Sequence, residues 1–187
     1  MNDGFHWLRR LRRVRGSLDD GSAAALVHAF VASRVDCCST VCAGAPGAIA
    51  DRLRRVLGAA ARVVGDARGF GRGLASLLHD GLRWLDVPER VACRMGVVVC
   101  RCLRGQAPRC LADHLITSSD VASRLRLRFA GRHRLVVPRC RLAAYGRRAF
   151  SVAGPMVWSS LPDGLGDPAC GSGGFGQFRK TILFSLY

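Results

Sequence analysis

The sequence has few acidic residues, few aromatic residues and almost no lysine. Its 187 residues include 29 basic side chains against 13 acidic ones, and every basic residue except Lys180 is arginine. The formal net charge of +16 indicates a polyanionic partner, because each phosphate that a basic side chain neutralises releases condensed counterions. Translation of GC-rich DNA also enriches Arg, Gly and Ala, so the charge has two explanations.

Long apolar runs and a secretory signal are also missing. The longest uncharged stretches, 37–50 and 149–162, are interrupted by proline and are too short to cross a bilayer. We therefore expect an intracellular protein of the nucleus or cytoplasm, not secreted and with no membrane partner. Its nine cysteines, an odd number, are then expected to be reduced and mostly buried as small apolar residues.

The residue patterns that carry catalysis or hold cofactors are absent as well. There is no Gly-x-Ser-x-Gly elbow, and the five histidines are scattered. The glycines of 171–176 match G-x-G-x-x-G in letters only, since no strand is predicted before them. The cysteines lack the two matched pairs of a structural zinc site. We expect no catalytic residue, no metal, no cofactor and no small-molecule substrate.

What the sequence does have is helical periodicity, together with a hydrophobic fraction of 49% that suits a globular chain. In the basic N-terminal segment, residues 1–21, helical spacing relates Leu8, Leu11, either Val14 or Arg15, and Leu18. Such a segment fits a transit peptide, a nuclear signal, a membrane-surface helix, a phosphate-binding arm or an ordinary basic surface helix. Its candidate phosphate contacts are Arg9, Arg10, Arg12 and Arg13.

Residues 22–66 predict a helical hairpin. Ser22 caps a helix from Ala23 to about Cys42, and a second helix runs from Pro46 to near Gly65. The short Gly/Pro turn between them favours an antiparallel pair. The predicted buried stripes are Leu26, Val27, Phe30 and Val31 in the first helix, and Ile49, Leu53, Val56, Leu57, Ala60 and Val64 in the second. Arginines occupy much of the second helix's remaining surface: Arg52, Arg54, Arg55 and Arg62.

Residues 67–187 predict a small α+β domain. After a flexible joint at 68–73 and a short helix at 74–80, a helix begins at Asp86, buries Val91, Met95, Val98 and Cys102, and stops at Gly105. A short helix follows from Pro108 to near Ile116. Alternation predicts a strand at Leu125–Phe129 that pairs with 134–137, then a short segment at 155–161 and a last helix at 175–186. The predicted fold class is mainly α, with one short β-hairpin.

Seven blocks in order resemble one known family. They are LVHAFVASRVDCC, DRLRRVLGAAARVV, LLHDGLRWLDVPERV, MGVVVCRCLRGQAP, SDVASRLRLR, LVVPRCRLAAYGRRAFSVAGPMVWSSLP and FRKTILFSLY. They are similar to the region after the polymerase palm in non-LTR (LINE-type, jockey-related) retrotransposon reverse transcriptases. The sequence departs from that pattern at Asp36-Cys37-Cys38-Ser39, where the family usually has Asp-Tyr-Cys-Asn, and in the glycine-rich 171–176.

The resemblance implies a thumb-like hairpin at 22–66 and a tail domain at 67–187. The palm's Tyr/Phe-Ala-Asp-Asp motif and the endonuclease are absent, so the expected protein is a non-catalytic fragment and not an enzyme. Its expected partner is the backbone of RNA or DNA, bound without sequence preference through the eight arginines. Two alternatives stay open: an unselected, decayed open-reading-frame product, and a host-recruited module for an unknown protein partner.

Overall fold

The computed structural model describes residues 2–37, 39–65, 77–121, 134–140 and 146–161. Helix accounts for 74% of these residues, and no strand occurs among them, so the prediction of a mainly α protein is confirmed. None of the helices in these ranges is both long and apolar enough to span a membrane. The described residues contain seven α-helices: α1 (Asn2–Val14), α2 (Asp20–Val27), α3 (Ser33–Cys37), α4 (Gly47–Val64), α5 (Val87–Leu103), α6 (Arg109–Ala112) and α7 (Phe150–Ser159).

The described residues form two compact units. The first contains 2–37, 39, 46–65 and 77–90, and the second contains 40–45, 91–121, 134–140 and 146–161. Two π-helical turns, His28–Ala32 and Leu77–Gly81, belong to the first unit. The division into 1–21, 22–66 and 67–187 follows the sequence resemblance and stays a prediction.

The first unit is built on α4, which contacts both α1 and α2. Apolar side chains at three- and four-residue steps supply the contact faces, and their burial removes apolar surface from water. In α4 the predicted stripe is buried at Val56, Leu57, Ala60 and Val64, whereas Ile49 and Leu53 are half-buried. The other helices contribute Leu8, Leu11, Ala23, Val27, Val31 and Ala32.

The first helix of the predicted hairpin differs from the prediction in its cap. Asp19, not Ser22, is the N-cap residue: the Asp19 Oδ2 accepts a hydrogen bond from the Ser22 backbone N–H at 3.1 Å. The helix therefore begins at Asp20. Aspartate is as good a cap as serine, and its extended backbone here (ψ 164°) suits the position.

The same helix is also shorter than predicted, since it is interrupted at His28–Ala32 and ends at Cys37. Two side chains bond to backbone carbonyls in place of regular helical contacts. The Ser33 hydroxyl donates to the Ala29 carbonyl, and the buried Ser39 hydroxyl donates to the Asp36 carbonyl at 3.0 Å. Such local bonds compete with the helical ladder and bend or end it. The predicted burial of this helix is confirmed at two of four positions: Val27 and Val31 are buried, whereas Leu26 and Phe30 are half-buried.

Helix α5 begins and ends where the sequence predicts. Val87 follows Asp86, and the helix closes at Gly105, whose φ of +67° suits glycine. The Gln106 N–H donates to the Arg101 carbonyl at 2.8 Å and so satisfies a terminal acceptor. The predicted burial of Val91, Met95 and Cys102 is confirmed. The fourth predicted residue, Val98, is only half-buried, and Val99 is fully buried in its place. Met95, Val99 and Cys102 are four and three residues apart, so they lie on the same face of the helix.

The second unit has a small core of Val99, Cys100, Leu135 and Trp158. Helix α7 brings Trp158 to this core and runs through Pro155, so the predicted segment at 155–161 begins earlier, at Phe150. Thr117 and Leu135 form an isolated antiparallel bridge. The predicted partner of 134–137, Leu125–Phe129, lies outside the described residues, so the β-hairpin is not confirmed.

The bridge explains why α6 is short. The Val136 N–H donates to the Ile116 carbonyl, and the Ser118 N–H donates to the Arg134 carbonyl, both at 2.8 Å. Because Ile116 and Ser118 pair with this segment, the helix predicted to reach Ile116 ends at Ala112. The predicted joint at 68–73, residues 74–76 of the short helix, and the last helix at 175–186 lie outside the described residues.

Candidate nucleic-acid interface

Helix α1 presents its arginines to solvent because its leucines are buried. Leu8 and Leu11 face the core of the first unit, which leaves the opposite side of the helix outside. All four predicted site residues of this helix are exposed: Arg9, Arg10, Arg12 and Arg13. Within the described part of the chain, Arg9, Arg12 and Arg13 have no hydrogen-bond or ion-pair partner.

Arg10 differs from the other three because it lies against an aromatic pair. Trp7 stacks on Phe30, with ring centroids 4.7 Å apart and planes 19° apart. The guanidinium carbons of Arg10 and Arg34 each lie 5.8 Å from the Trp7 ring centroid. These distances suit cation–π attraction. Trp7 thus ties α1 to the turn that carries Phe30, and Arg10 is partly engaged in that contact.

The four predicted arginines of α4 are not equivalent. Arg52, Arg54 and Arg55 are exposed, whereas Arg62 is half-buried in the last turn. The Arg54 Nη1 donates to the Asp51 Oδ1 at 2.6 Å, an exposed pair one turn apart. Arg52 and Arg55 have no hydrogen-bond or ion-pair partner among the described residues. The structure therefore distinguishes two unengaged guanidinium groups on α4 from one neutralised and one partly covered.

Arg15 has a structural role that the sequence analysis does not predict. Its Nε donates to the Val63 carbonyl at 2.9 Å and its Nη2 to the Val64 carbonyl at 2.8 Å, at the C-terminal end of α4. Its Nη1 donates to the Leu18 carbonyl at 2.7 Å, and it pairs with Asp20. A cation at this end of a helix also meets the negative end of the helix dipole. The available signal is its spacing, seven residues after Leu8 on the buried stripe.

Arg90 is a second arginine that turns inward. Its Nη1 donates to the Asp36 Oδ1 at 2.9 Å, and its guanidinium lies 5.6 Å from the centroid of the buried Trp84 ring. The two charged side chains are 12% and 10% exposed. Nothing in the sequence pairs residues 54 positions apart, so this buried ion pair could not be predicted.

Among the described residues, two titratable groups have shifted pKa values, and neither belongs to the arginine surface. Hydrogen bonds from the Ser22 hydroxyl and the Ser22 backbone N–H lower the pKa of the Asp19 carboxyl. Burial, and secondly the nearby Cys110, raises the pKa of the Cys102 thiol. Both shifts have structural causes and neither identifies a reactive group.

No candidate metal site emerges from the ranges that the structure describes, since no three His, Cys, Asp or Glu side chains are grouped there. Seven of the nine cysteines lie within the described residues, and none of these seven forms a disulfide there. Cys93, Cys100 and Cys102 are buried and Cys42 is intermediate, whereas the exposed ones are Cys37, Cys110 and Cys140. The aromatic residues Trp84 and Trp158 are buried, and Phe150 packs on the second core, so these rings belong to the protein's own packing.

No family model, curated protein or solved structure matches this chain. The candidate interface is a set of five exposed guanidinium groups with no ion-pair partner among the described residues, carried by two helices in contact, α1 and α4.

Proposed function

We propose that the chain is a non-catalytic nucleic-acid-binding segment that contacts the sugar–phosphate backbone through α1 and α4. One observation carries this proposal. Five exposed arginines on these two packed helices have no carboxylate partner among the described residues: Arg9, Arg12, Arg13, Arg52 and Arg55. A guanidinium fork matches phosphate oxygens and reads no base by itself, so such binding is independent of sequence.

The proposal includes the family resemblance. A segment of this kind suits the region after the palm of a LINE-type reverse transcriptase, where thumb-like helices lie beside the template–primer duplex. The sequence supports this reading through seven blocks in order and through the missing Tyr/Phe-Ala-Asp-Asp motif. In this view the chain supplies affinity for RNA or DNA, and the polymerase chemistry lies elsewhere.

A salt series measures how many of these contacts form. Each neutralised phosphate contributes about 0.9 to the slope of log affinity against log salt on B-form DNA. Five contacts predict a slope of roughly −4 to −5 for a fluorescently labelled duplex. A slope near zero, or no binding at low salt, would contradict the proposal.

A matched pair of variants tests the location of the surface. Arg9→Gln/Arg12→Gln/Arg13→Gln removes three charges from α1, whereas Arg101→Gln/Arg109→Gln/Arg139→Gln removes three exposed charges from the second unit. We expect the first variant to reduce the slope by about 3 and the second by less than about 1. Equal losses would mean that general basicity, and not this surface, binds the nucleic acid.

A thermal melt of the whole chain is the companion measurement. A selected protein with two packed cores is expected to unfold cooperatively. Absence of a cooperative transition would favour the unselected open-reading-frame product over the binding segment.

A further inference from the structure

The outer face of α1 carries an exposed aromatic ring in line with its unengaged arginines. Phe5 is 45% exposed, and it precedes Arg9, Arg12 and Arg13 by four, seven and eight residues. These steps place the four side chains on one side of a helix, over about 12 Å of its length. The face thus begins with an aromatic ring and continues with three guanidinium groups.

We propose that this face binds single-stranded nucleic acid, with an unpaired base stacked on Phe5 and the following phosphates held by the arginines. The inference rests on the proposed function and specifies its ligand. In a duplex the bases are stacked on one another, so an exposed ring on a helix surface meets a base plane only where the strand is unpaired. Stacking on an aromatic side chain beside a basic track is the general mode of single-strand binding.

The contrast with Trp7 supports this assignment. The Trp7 ring is occupied by Phe30 and by the guanidinium groups of Arg10 and Arg34, so it is part of the protein's own packing. Phe5 has no ring contact among the described residues. Of the two large aromatic side chains in α1, Phe5 is therefore the one available to a ligand.

Burial of the leucines argues against a membrane surface as the ligand. A helix that lies in a bilayer interface inserts a broad apolar face. In α1 that face consists of Leu8 and Leu11, which are 3% and 7% exposed because they form part of the first unit's core. Of the large apolar side chains of α1, only Phe5 and Val14 are exposed, against four exposed arginines, which suits a polyanion with stacking bases better than a lipid layer.

Two substitutions at Phe5 separate stacking from apolar contact. Phe5→Leu keeps an apolar side chain without an aromatic face, and Phe5→Trp keeps the aromatic face. The matched control is Met156→Ala, which alters another exposed apolar side chain, 48% exposed, in the second unit. All proteins are full-length and are compared for thermal unfolding before binding.

The experiment measures fluorescence anisotropy of labelled oligo(dT) and oligo(U), and of a random-sequence duplex of equal phosphate number, at fixed salt. We expect wild type to prefer the single strands. Phe5→Leu should weaken single-strand binding about tenfold and leave duplex binding nearly unchanged. Phe5→Trp should keep the wild-type affinity for single strands. Met156→Ala should change neither single-strand nor duplex affinity.

Duplex binding equal to or tighter than single-strand binding, with no effect of Phe5→Leu, would overturn this inference and leave the proposed function standing. Loss of the proposed function looks different, since wild type would then bind neither ligand at low salt. In a last experiment, binding of the same proteins to vesicles of phosphatidylcholine with about 30% phosphatidylserine is measured. Binding to them that falls with Phe5→Leu, while oligonucleotide binding does not, would assign the face to lipid and overturn the inference.

Discussion

The interior and the surface of the first unit use arginine in opposite ways. Arg15 and Arg90 are 13% and 12% exposed, and their guanidinium groups bond to backbone carbonyls or to a buried carboxylate. Arg9, Arg13 and Arg55 are exposed and have no such partner in the described part of the chain. Arginine count alone therefore does not measure the charge available to a ligand, because some of these residues belong to the architecture.

The sharpest test of this division is Arg90→Ala. The change removes the Arg90 guanidinium from the buried Asp36 carboxylate and from the Trp84 ring, so we expect a loss of about 3 kcal/mol in the free energy of unfolding. Denaturant titration measures it. Arg55→Ala is the matched surface control and should stay within about 0.5 kcal/mol of wild type. Equal losses of stability from the two substitutions would contradict the distinction between internal and exposed arginines.

Arg15→Ala should have the next largest effect. Three carbonyls, at Leu18, Val63 and Val64, lose a charged donor, and the expected loss of stability is about 2 kcal/mol. Arg15→Lys keeps the charge but cannot reach three acceptors with a planar fork, so it should recover less than half of the loss. The control is Arg13→Ala, two residues earlier and exposed. Full recovery by lysine would show that charge alone matters at this position.

Asp51→Asn tests the boundary case, an arginine on the surface that is already paired. The Arg54–Asp51 contact is exposed on both sides, so its removal should change stability by less than about 0.5 kcal/mol. Its main effect should be on binding. The new side-chain amide can still accept the hydrogen bond but no longer neutralises the Arg54 charge, so duplex affinity should rise about two- to threefold and the salt slope should steepen by up to about 1. An unchanged slope would exclude Arg54 from the interface.

Asp19→Asn should have the smallest effect on stability, and this effect should be visible only when the pH is varied. Because hydrogen bonds lower the pKa of Asp19 in the folded state, its contribution is present above the unfolded value of about 3.9 and is lost as pH falls through the folded pKa. Asparagine caps equally well and does not titrate. The Tm difference between the two proteins should therefore be constant from pH 7 to 5 and change below pH 4. If the Tm difference already changed at pH 6, a titratable group other than Asp19 would be responsible.

Local patterns in the sequence account for much of this fold. The stripe of α4, the start of α5 and the glycine at its end are short-range features, and residues within one or two turns determine them. The break at His28–Ala32 and the end at Cys37 depend on single hydroxyl groups that bond to carbonyls, and propensity does not resolve these. The pairing of Thr117 with Leu135 is a tertiary contact that no local pattern encodes.

The candidate interface is predictable to a similar extent. Helical periodicity identifies the exposed arginines of α1 and α4, because it fixes which face is buried. It does not reveal that Asp51 neutralises Arg54, that Trp7 engages Arg10, or that Arg15 is an internal ligand of α4. Each of these depends on which side chain the tertiary fold brings near. The spacing of Phe5 from Arg9 is visible in the sequence, whereas the exposure of its ring depends on the fold.

The contacts of Arg15 have a consequence for how the first unit opens. One side chain joins the end of α1 to the last carbonyls of α4, although the two positions are 48 and 49 residues apart. Fraying at the end of α4 and detachment of α1 should thus be one cooperative event. In hydrogen exchange, the Gly65 amide, which donates to the Ala61 carbonyl, should share its protection with the amides of α1. In the Arg15→Ala protein the two exchange rates should differ, and the Gly65 amide should exchange faster than the amides of α1.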